Sequence, residues 1–435
     1  MIKKLKDKKY FLEVYVGIIA SIVLLGWLFN SIVSMAILLL IFVFSIFYFK
    51  DLKYGIPIIL FFIFTISEGF SNEKIPIPYI IIISIVIGIL VIFNLRIKIK
   101  DLKSVIGFLG LAVCNFIPIF WAHLDNYIFY SFYFIGFGYL FLYIMLTNGI
   151  KSNCIDILVV SMSYLGIILS FECIYKVITL KDTVNNVFNL WYYLGWGLCN
   201  EAGILMCMSI PFNFYLLGKT KKDWFFQVIK MLIVCIGFIM TMSRGTYIFG
   251  ILEIMILAIC LLFYAENKKL YKKIFTGLVC VGTLILIMII PLLDDIIANV
   301  FKHGLGSNGR IEIWKNGLSV FSDSFVFGPG ICSVIKRLNT AIGFQDVPLV
   351  FHSSIVEVLV VGGVVGLIFF IIHLVEKYRA LLKMDKLFFI TSLVGYIIVD
   401  LYGLIDNTYY MYYYMIVLVV IMAVIDKNLI NKDIS

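Results

Sequence analysis

Charge is what this chain has least of. Asp, Glu, Lys and Arg make up 14% of its 435 residues while apolar residues make up 63%, and its mean hydropathy is +1.07. That scarcity excludes a soluble globular domain. The chain also lacks CxxC spacing: Cys114, Cys173, Cys199, Cys207, Cys235, Cys260 and Cys280 fall singly in or at the ends of apolar spans. They read as small apolar packing residues, not as metal ligands or a disulfide framework. No cleavable signal peptide is expected, because the first apolar span has no small-residue cleavage site and further spans follow it. No internal repeat of the kind common in secondary transporters is evident. Scarcest of the charged residues is arginine, with five among the 35 basic residues.

What is present is apolar sequence in runs near the ~20 residues that cross a ~30 Å hydrocarbon core. Fourteen such spans are expected (a range of 12–14), near 11–29, 31–49, 55–71, 76–94, 104–122, 127–146, 155–175, 198–217, 224–242, 246–264, 274–293, 352–374, 387–403 and 409–425. The runs are too long and too uniformly apolar for barrel strands that alternate towards a lumen, so helices must satisfy the backbone. The sequence therefore predicts an all-α, polytopic integral membrane protein forming one domain over residues 1–435.

Lysine placement orients it. Basic residues cluster at the N-terminus and then in alternate connections, at Lys50/Lys53, Arg96–Lys103, Lys151, Lys219–Lys222, Lys268–Lys273, Lys377–Lys386 and Lys427/Lys432. Short basic loops stay on the cytoplasmic side, so both termini are expected in the cytoplasm. The net charge of +9 is then a topology signal, and nucleic acid is not an expected partner; the lipid bilayer is.

Two segments break the rhythm of span and short connection, both on the expected outer side. Lys176–Gly197 carries Trp191, Tyr192, Tyr193 and Trp196, which suit an interfacial aromatic belt or the stacking of sugar rings. The second is the long loop 294–351, within which Ile311, Trp314, Leu318 and Phe321 would share one face of a short helix. Loops of that length are more often functional than idle.

The charged points of these outer segments carry the chemistry. Arg244, in Thr241-Met242-Ser243-Arg244-Gly245, departs from the positive-inside pattern, and Arg310 and Arg337 lie on the same side. A guanidinium presents a fork of donors matched to phosphate oxygens and does not lose its charge, so a diphosphate ligand at that surface would account for all three. His352 stands where the long loop re-enters an apolar span, and an imidazole there can take a proton from a hydroxyl. Ser353 and Ser354 are expected to cap the following helix, and Gly362, Gly363 and Gly366 to let it pack closely on a neighbour.

These residues resemble a known family. His352 to Gly366, HSSIVEVLVVGGVVG, is similar to the H-N-S-Y-L-x-x-L-V-E-T-G-I-I-G signature of bacterial O-antigen polymerases and ligases. Arg244 within Ser-Arg-Gly resembles the upstream S-R-G segment, and Gly309-Arg310 with Trp314 and the later Gly328-Pro329-Gly330 resembles its G-R-x-x-x-W segment and glycine-rich turn. The resemblance covers residues 195–370. It departs from the pattern at Ser353, where the family has Asn, and at Gly328-Pro329-Gly330, where it has G-x-G.

The resemblance implies a GT-C-like membrane glycosyltransferase with one long extracytoplasmic loop, acting at the outer face of the cytoplasmic membrane on an undecaprenyl-diphosphate-linked oligosaccharide. It implies no cofactor and no metal. Arg244 and Arg310 would clamp the diphosphate, and His352 would orient or deprotonate the acceptor hydroxyl, with inversion at the anomeric carbon. Arg337, Lys336, Trp314, Trp196, Asn200 and Glu357 are expected to contact substrate. A sequence rich in Ile, Lys, Asn and Tyr and poor in Arg suits a low-GC bacterium without an outer membrane, which favours a polymerase of capsular or exopolysaccharide repeat units over an O-antigen ligase. A flippase and a chain-length regulator of the same pathway are expected partners. Transport without chemistry, as a flippase, is a third reading, supported only by the intramembrane acids Glu253 and Asp400.

The topology makes one expectation directly measurable. A cysteine introduced at Asn308 should react with an impermeant thiol reagent in intact cells; protection at that position would invert the assignment of the long loop.

Overall fold

A computed structural model of the protein describes residues 8–68, 88, 91–92, 95, 99, 103–121, 130–183, 190–220, 223–289, 310–330, 351–409 and 411–434. Among the described residues there are helices and turns but no strands, apart from the isolated bridge between Tyr193 and Leu198. Among the described residues, seven helices are long and apolar enough to cross a membrane: Tyr10–Leu28, Ile32–Phe49, Ile155–Thr183, Cys199–Lys219, Arg244–Tyr264, Ser354–Leu381 and Tyr412–Lys432. Shorter apolar helical stretches lie at Leu52–Thr65, Val105–Phe120, Phe134–Gly149 and Trp224–Met240. The protein is an all-α, polytopic membrane protein, as hydrocarbon demands of backbone that has no water to bond to.

Several expected spans take a different form. The stretch near 55–71 is a succession of tight turns, with 3-10 helix at Leu52–Gly55, α-helix at Ile56–Phe61 and 3-10 helix again at Phe62–Thr65. The one near 104–122 is α-helical only over Val105–Phe116 and tightens into 3-10 helix at Ile117–Phe120, where Pro118 has no N–H to continue the ladder. The span expected near 76–94 falls almost wholly outside the described residues.

The chain divides into two compact units. The first comprises Met1–Arg96, Lys151–Leu305 and Asp385–Val399. At its centre the helices Ile155–Leu180 and Cys199–Lys219 are buried along most of their length. Within the unit Lys230 Nζ lies 3.1 Å from Glu13 Oε1 and is set over the rings of Tyr164 and Phe226.

The second unit comprises Ile97–Ile150, Gly306–Met384 and Asp400–Ser435. Its defining element is the helix Ser354–Leu381, which is not continuous: Gly363 has φ 65° and ψ −166°. A Cβ on Gly366 would lie 3.4 Å from the carbonyl oxygen of Val358, whereas eight residues of straight helix are about 12 Å long. The chain therefore folds back sharply at Gly363. The single straight span expected at 352–374 is two arms meeting at a break.

The break is closed by the glycine-rich turn. Val364 N–H donates to Phe325 O at 2.8 Å and Val365 N–H to Val326 O at 3.1 Å, while Gly330 N–H donates to Val361 O at 3.2 Å. The backbone groups freed by the break are thus paired, as a membrane interior requires. Both sides need glycine. A Cβ on Gly363 would sit 2.3 Å from Val326 O, and one on Gly328, itself at φ 68°, would sit 2.2 Å from Val361 O. Gly363 is a chain-reversal residue and not the close-packing helical glycine that its neighbourhood suggests.

The amphipathic helix expected at Ile311–Phe321 forms as Arg310–Asp323. Its buried positions are Gly317 and Val320, and Ile313, Trp314 and Phe321 pack beside them against Phe351, Val356, Val360 and Val361. Ile311 and Leu318, expected on that face, are exposed; the packed stripe is rotated towards Ile313 because Gly317 admits the Phe351 ring.

Alanine at Gly363 should lower the stability of the detergent-purified protein by at least about 2 kcal/mol, through both positive φ and the collision with Val326 O. Gly277, where nothing lies within 4 Å of an added Cβ, should accept alanine with no loss. Equal thermal unfolding of the two variants would contradict the clasp.

Candidate functional site

Arg244 belongs to the first unit and is set by a very short connection. The helix Trp224–Met240 ends, Met242 turns through a left-handed φ of 52°, and Ser243 is extended and caps the next helix by accepting from Thr246 N–H at 3.4 Å. Arg244 is the first residue of that helix, Arg244–Tyr264, and is partly exposed. A cation gains nothing from a helix N-terminus, but an anion held between the guanidinium and that N-terminus gains from both.

Two neighbouring segments brace this turn. Tyr192 donates from its hydroxyl to Met240 O at 2.7 Å; burial pushes its phenol far above the usual range, so it stays a neutral donor. Beside it, the helix Cys199–Lys219 packs so closely on Thr246 that a Cβ on Gly203 would fall 1.9 Å from Thr246 Oγ1. Asn200 and Arg244 each precede this contact by less than one turn. Trp196 is a different matter: it is buried, donates from Nε1 to Glu172 Oε2 at 2.7 Å and meets Phe64 edge-on. The exposed aromatics of the segment are Trp191 and Tyr193, 66% and 38% exposed.

His352 belongs to the second unit, and its place is fixed through Phe351. Phe351 is buried, its carbonyl accepts from Trp314 Nε1 at 2.7 Å, and its N–H donates to Glu357 Oε2 at 2.8 Å. With both backbone groups of Phe351 held, the chain turns at His352 through a left-handed φ of 49°. Trp314 and Glu357, expected to touch substrate, thus have structural partners; Glu357 is buried and its carboxylate occupied. Neither serine caps as expected. Ser353 makes no capping bond, and Ser354 Oγ is engaged by Thr408, whose hydroxyl lies at 2.8 Å and whose N–H lies at 2.9 Å.

The imidazole has a partner that sequence reasoning missed. His352 Nδ1 lies 3.1 Å from Asp406 Oδ1, which also accepts from Asn407 N–H at 2.9 Å. Asp406 has 9% of its side chain exposed and His352 37%. With the carboxylate as acceptor, Nδ1 carries the ring proton and Nε2 is left with a lone pair for a second group. The signal was present: Asp406-Asn407-Thr408 is a polar run in the connection between the last two expected spans. Asp400 was noticed instead, and it pairs with Lys377.

Arg310 opens the helix Arg310–Asp323 and is partly exposed, one turn before Trp314 and so on the same side of it. The second unit therefore gathers Arg310, Trp314, His352, Glu357 and Asp406, while the first holds Arg244, Asn200 and Trp196. Arg337 and Lys336 lie outside the described residues, as does most of the loop 294–351.

Phenylalanine at Trp314 removes the donor to the Phe351 carbonyl and should destabilise the purified protein by about 1–2 kcal/mol. Phenylalanine at the exposed Trp191 should change it by less than about 0.5 kcal/mol. Equal melting of wild type and the Trp314 variant would sever the link from that helix to His352.

No curated protein matches the chain. Residues 229–371 match the family described as O-antigen ligase, a stretch that contains Arg244, Arg310, Trp314, His352 and Glu357, with Trp196 and Asn200 preceding it. The match is confined to that stretch; over it the chain is similar to the O-antigen ligase family, and the all-α membrane fold is consistent with that likeness.

Proposed function

We propose that the protein is a polysaccharide polymerase that joins undecaprenyl-diphosphate-linked oligosaccharide repeat units at the outer face of the cytoplasmic membrane, for capsule or exopolysaccharide. The observation that carries this reading is the contact between His352 Nδ1 and Asp406, which leaves Nε2 free to take a proton from an acceptor hydroxyl. As that O–H bond breaks, the oxygen attacks the anomeric carbon of the donor sugar. The bond from that carbon to the diphosphate breaks on the opposite face, the electron pair leaves with the diphosphate, and the configuration inverts. Negative charge gathers on the leaving group, which is where Arg244 and Arg310 act as fixed positive groups.

Transfer to a different acceptor, as in a ligase, uses the same groups. The low-arginine, lysine-rich composition favours the polymerase. A purely transporting role loses part of its basis, because Asp400 is held by Lys377. Arg337 and Lys336 are proposed to extend the diphosphate site, and Asn200 and the exposed Trp191 to meet the sugars.

In cells, His352→Ala should accumulate lipid-linked single repeat units on the outer leaflet, since loss of a general base costs roughly 10²–10⁴-fold in rate. Arg244→Lys and Arg310→Lys should each lose most polymer at unchanged protein level, because a point ammonium does not reproduce a bidentate phosphate contact. Units retained on the inner leaflet would identify a flippase, and wild-type polymer from both lysine variants would remove the clamp.

A further inference from the structure

Lys377, expected in a basic cytoplasmic connection, is instead a buried cation that the transfer chemistry does not use. Its side chain is 0% exposed within the helix Ser354–Leu381, and its ammonium donates to both oxygens of Asp400 at 2.7 Å. Tyr378 donates to Asp400 Oδ2 at 2.5 Å. An ionisable residue inside an apolar helix is costly and marks function by default. Here the charge is neutralised, so the pair is not a vacant anion site, and its role lies in what it holds.

Asp400 stands near the end of the helix Lys386–Tyr402, immediately before the turn that carries Asp406. Gly403 O accepts from Ser354 N–H at 2.7 Å, and Thr408 is bonded to Ser354 Oγ. The turn is thus fastened at its start by Asp400 on Lys377, and along its length by Gly403 and Thr408 on Ser354. These fastenings sit on the two arms of the broken helix: Lys377 follows Gly363, and His352 and Ser354 precede it. Between them lies the residue that touches His352.

We propose that Lys377 and Asp400 are positioning residues of the transfer reaction, fixing the Gly403–Thr408 turn across the two arms so that Asp406 meets His352. The proposal rests on the reading of His352 with Asp406 as the group that activates the acceptor. Neither Lys377 nor Asp400 touches substrate. Their loss should lower kcat, through misplacement of the base, and leave substrate binding nearly unchanged.

The test uses the full-length protein in lipid vesicles, with lipid-linked single repeat units extracted from a deletion strain as substrate. Lys377→Met and Asp400→Asn should each reduce kcat by roughly 10²-fold, the scale of an ångström of misplacement, with little change in KM. Asp406→Asn should do the same. Because the three act through one contact, Asp400→Asn combined with Asp406→Asn should be no worse than Asp406→Asn alone, within about twofold. Where Lys377→Met yields no folded protein, Asp400→Asn carries the comparison, since it keeps the shape of the side chain. Independent, multiplying losses in the double variant would overturn the positioning role, as would wild-type kcat in Asp400→Asn. Wild-type kcat in both His352→Ala and Asp406→Asn is a separate result: it would fell the base itself, and this proposal with it.

Discussion

The second unit depends on one constraint, that an apolar helix reversing direction inside a membrane must still pair its backbone. At Gly363 the ladder stops, and the amides of Val364 and Val365 and the carbonyl of Val361 are met by the segment Phe325–Gly330. Everything that places His352 follows from that closure. The arm before the break carries Phe351, His352 and Ser354 back past the arm after it. The helix Arg310–Asp323, which ends just before the clasping segment, is drawn against Phe351 and Val360. Trp314 and Glu357 then fix Phe351 from its two backbone groups.

The same solvent dictates how charge is treated. Lys230 is paired with Glu13, Lys377 with Asp400, and Asp426 accepts from Tyr143 at 2.6 Å. Taking one partner from such a buried pair costs about 3–5 kcal/mol, so these contacts keep specific helices together even if they add little net stability. Arg244, Arg310 and His352 are partly open. The buried pairs organise the units, and these three sites remain accessible to a ligand.

The sequence made the class and the open charges legible for the same reason: both are compositional. Sustained apolar runs need no tertiary information, and neither does an arginine where lysines prevail. Arg244, Arg310 and His352 were visible in that way. Asp406 was not, because its meaning comes from a contact with His352, 54 residues earlier, and nothing local announces it. Trp196 and Trp191 look alike in sequence, and only packing against Glu172 and Phe64 separates the buried one from the open one. The break at Gly363 was hidden for a related reason. Val361-Gly362-Gly363-Val364 is apolar enough to read as a continuous span, and the strands of backbone that close it come from a loop more than thirty residues away.

Two non-glycine residues with left-handed backbone stand at the charged points: Met242, two residues before Arg244, and His352 itself. Each such conformation costs of order 1 kcal/mol or more and persists because its surroundings impose it. The substitution that would relieve the backbone at 352 is glycine, and it deletes the imidazole. Selection for a sturdier fold and selection for activity therefore pull in opposite directions at that position. At Met242 they do not, since its side chain carries no proposed chemistry, and glycine there is a route by which a descendant could gain stability without surrendering the site.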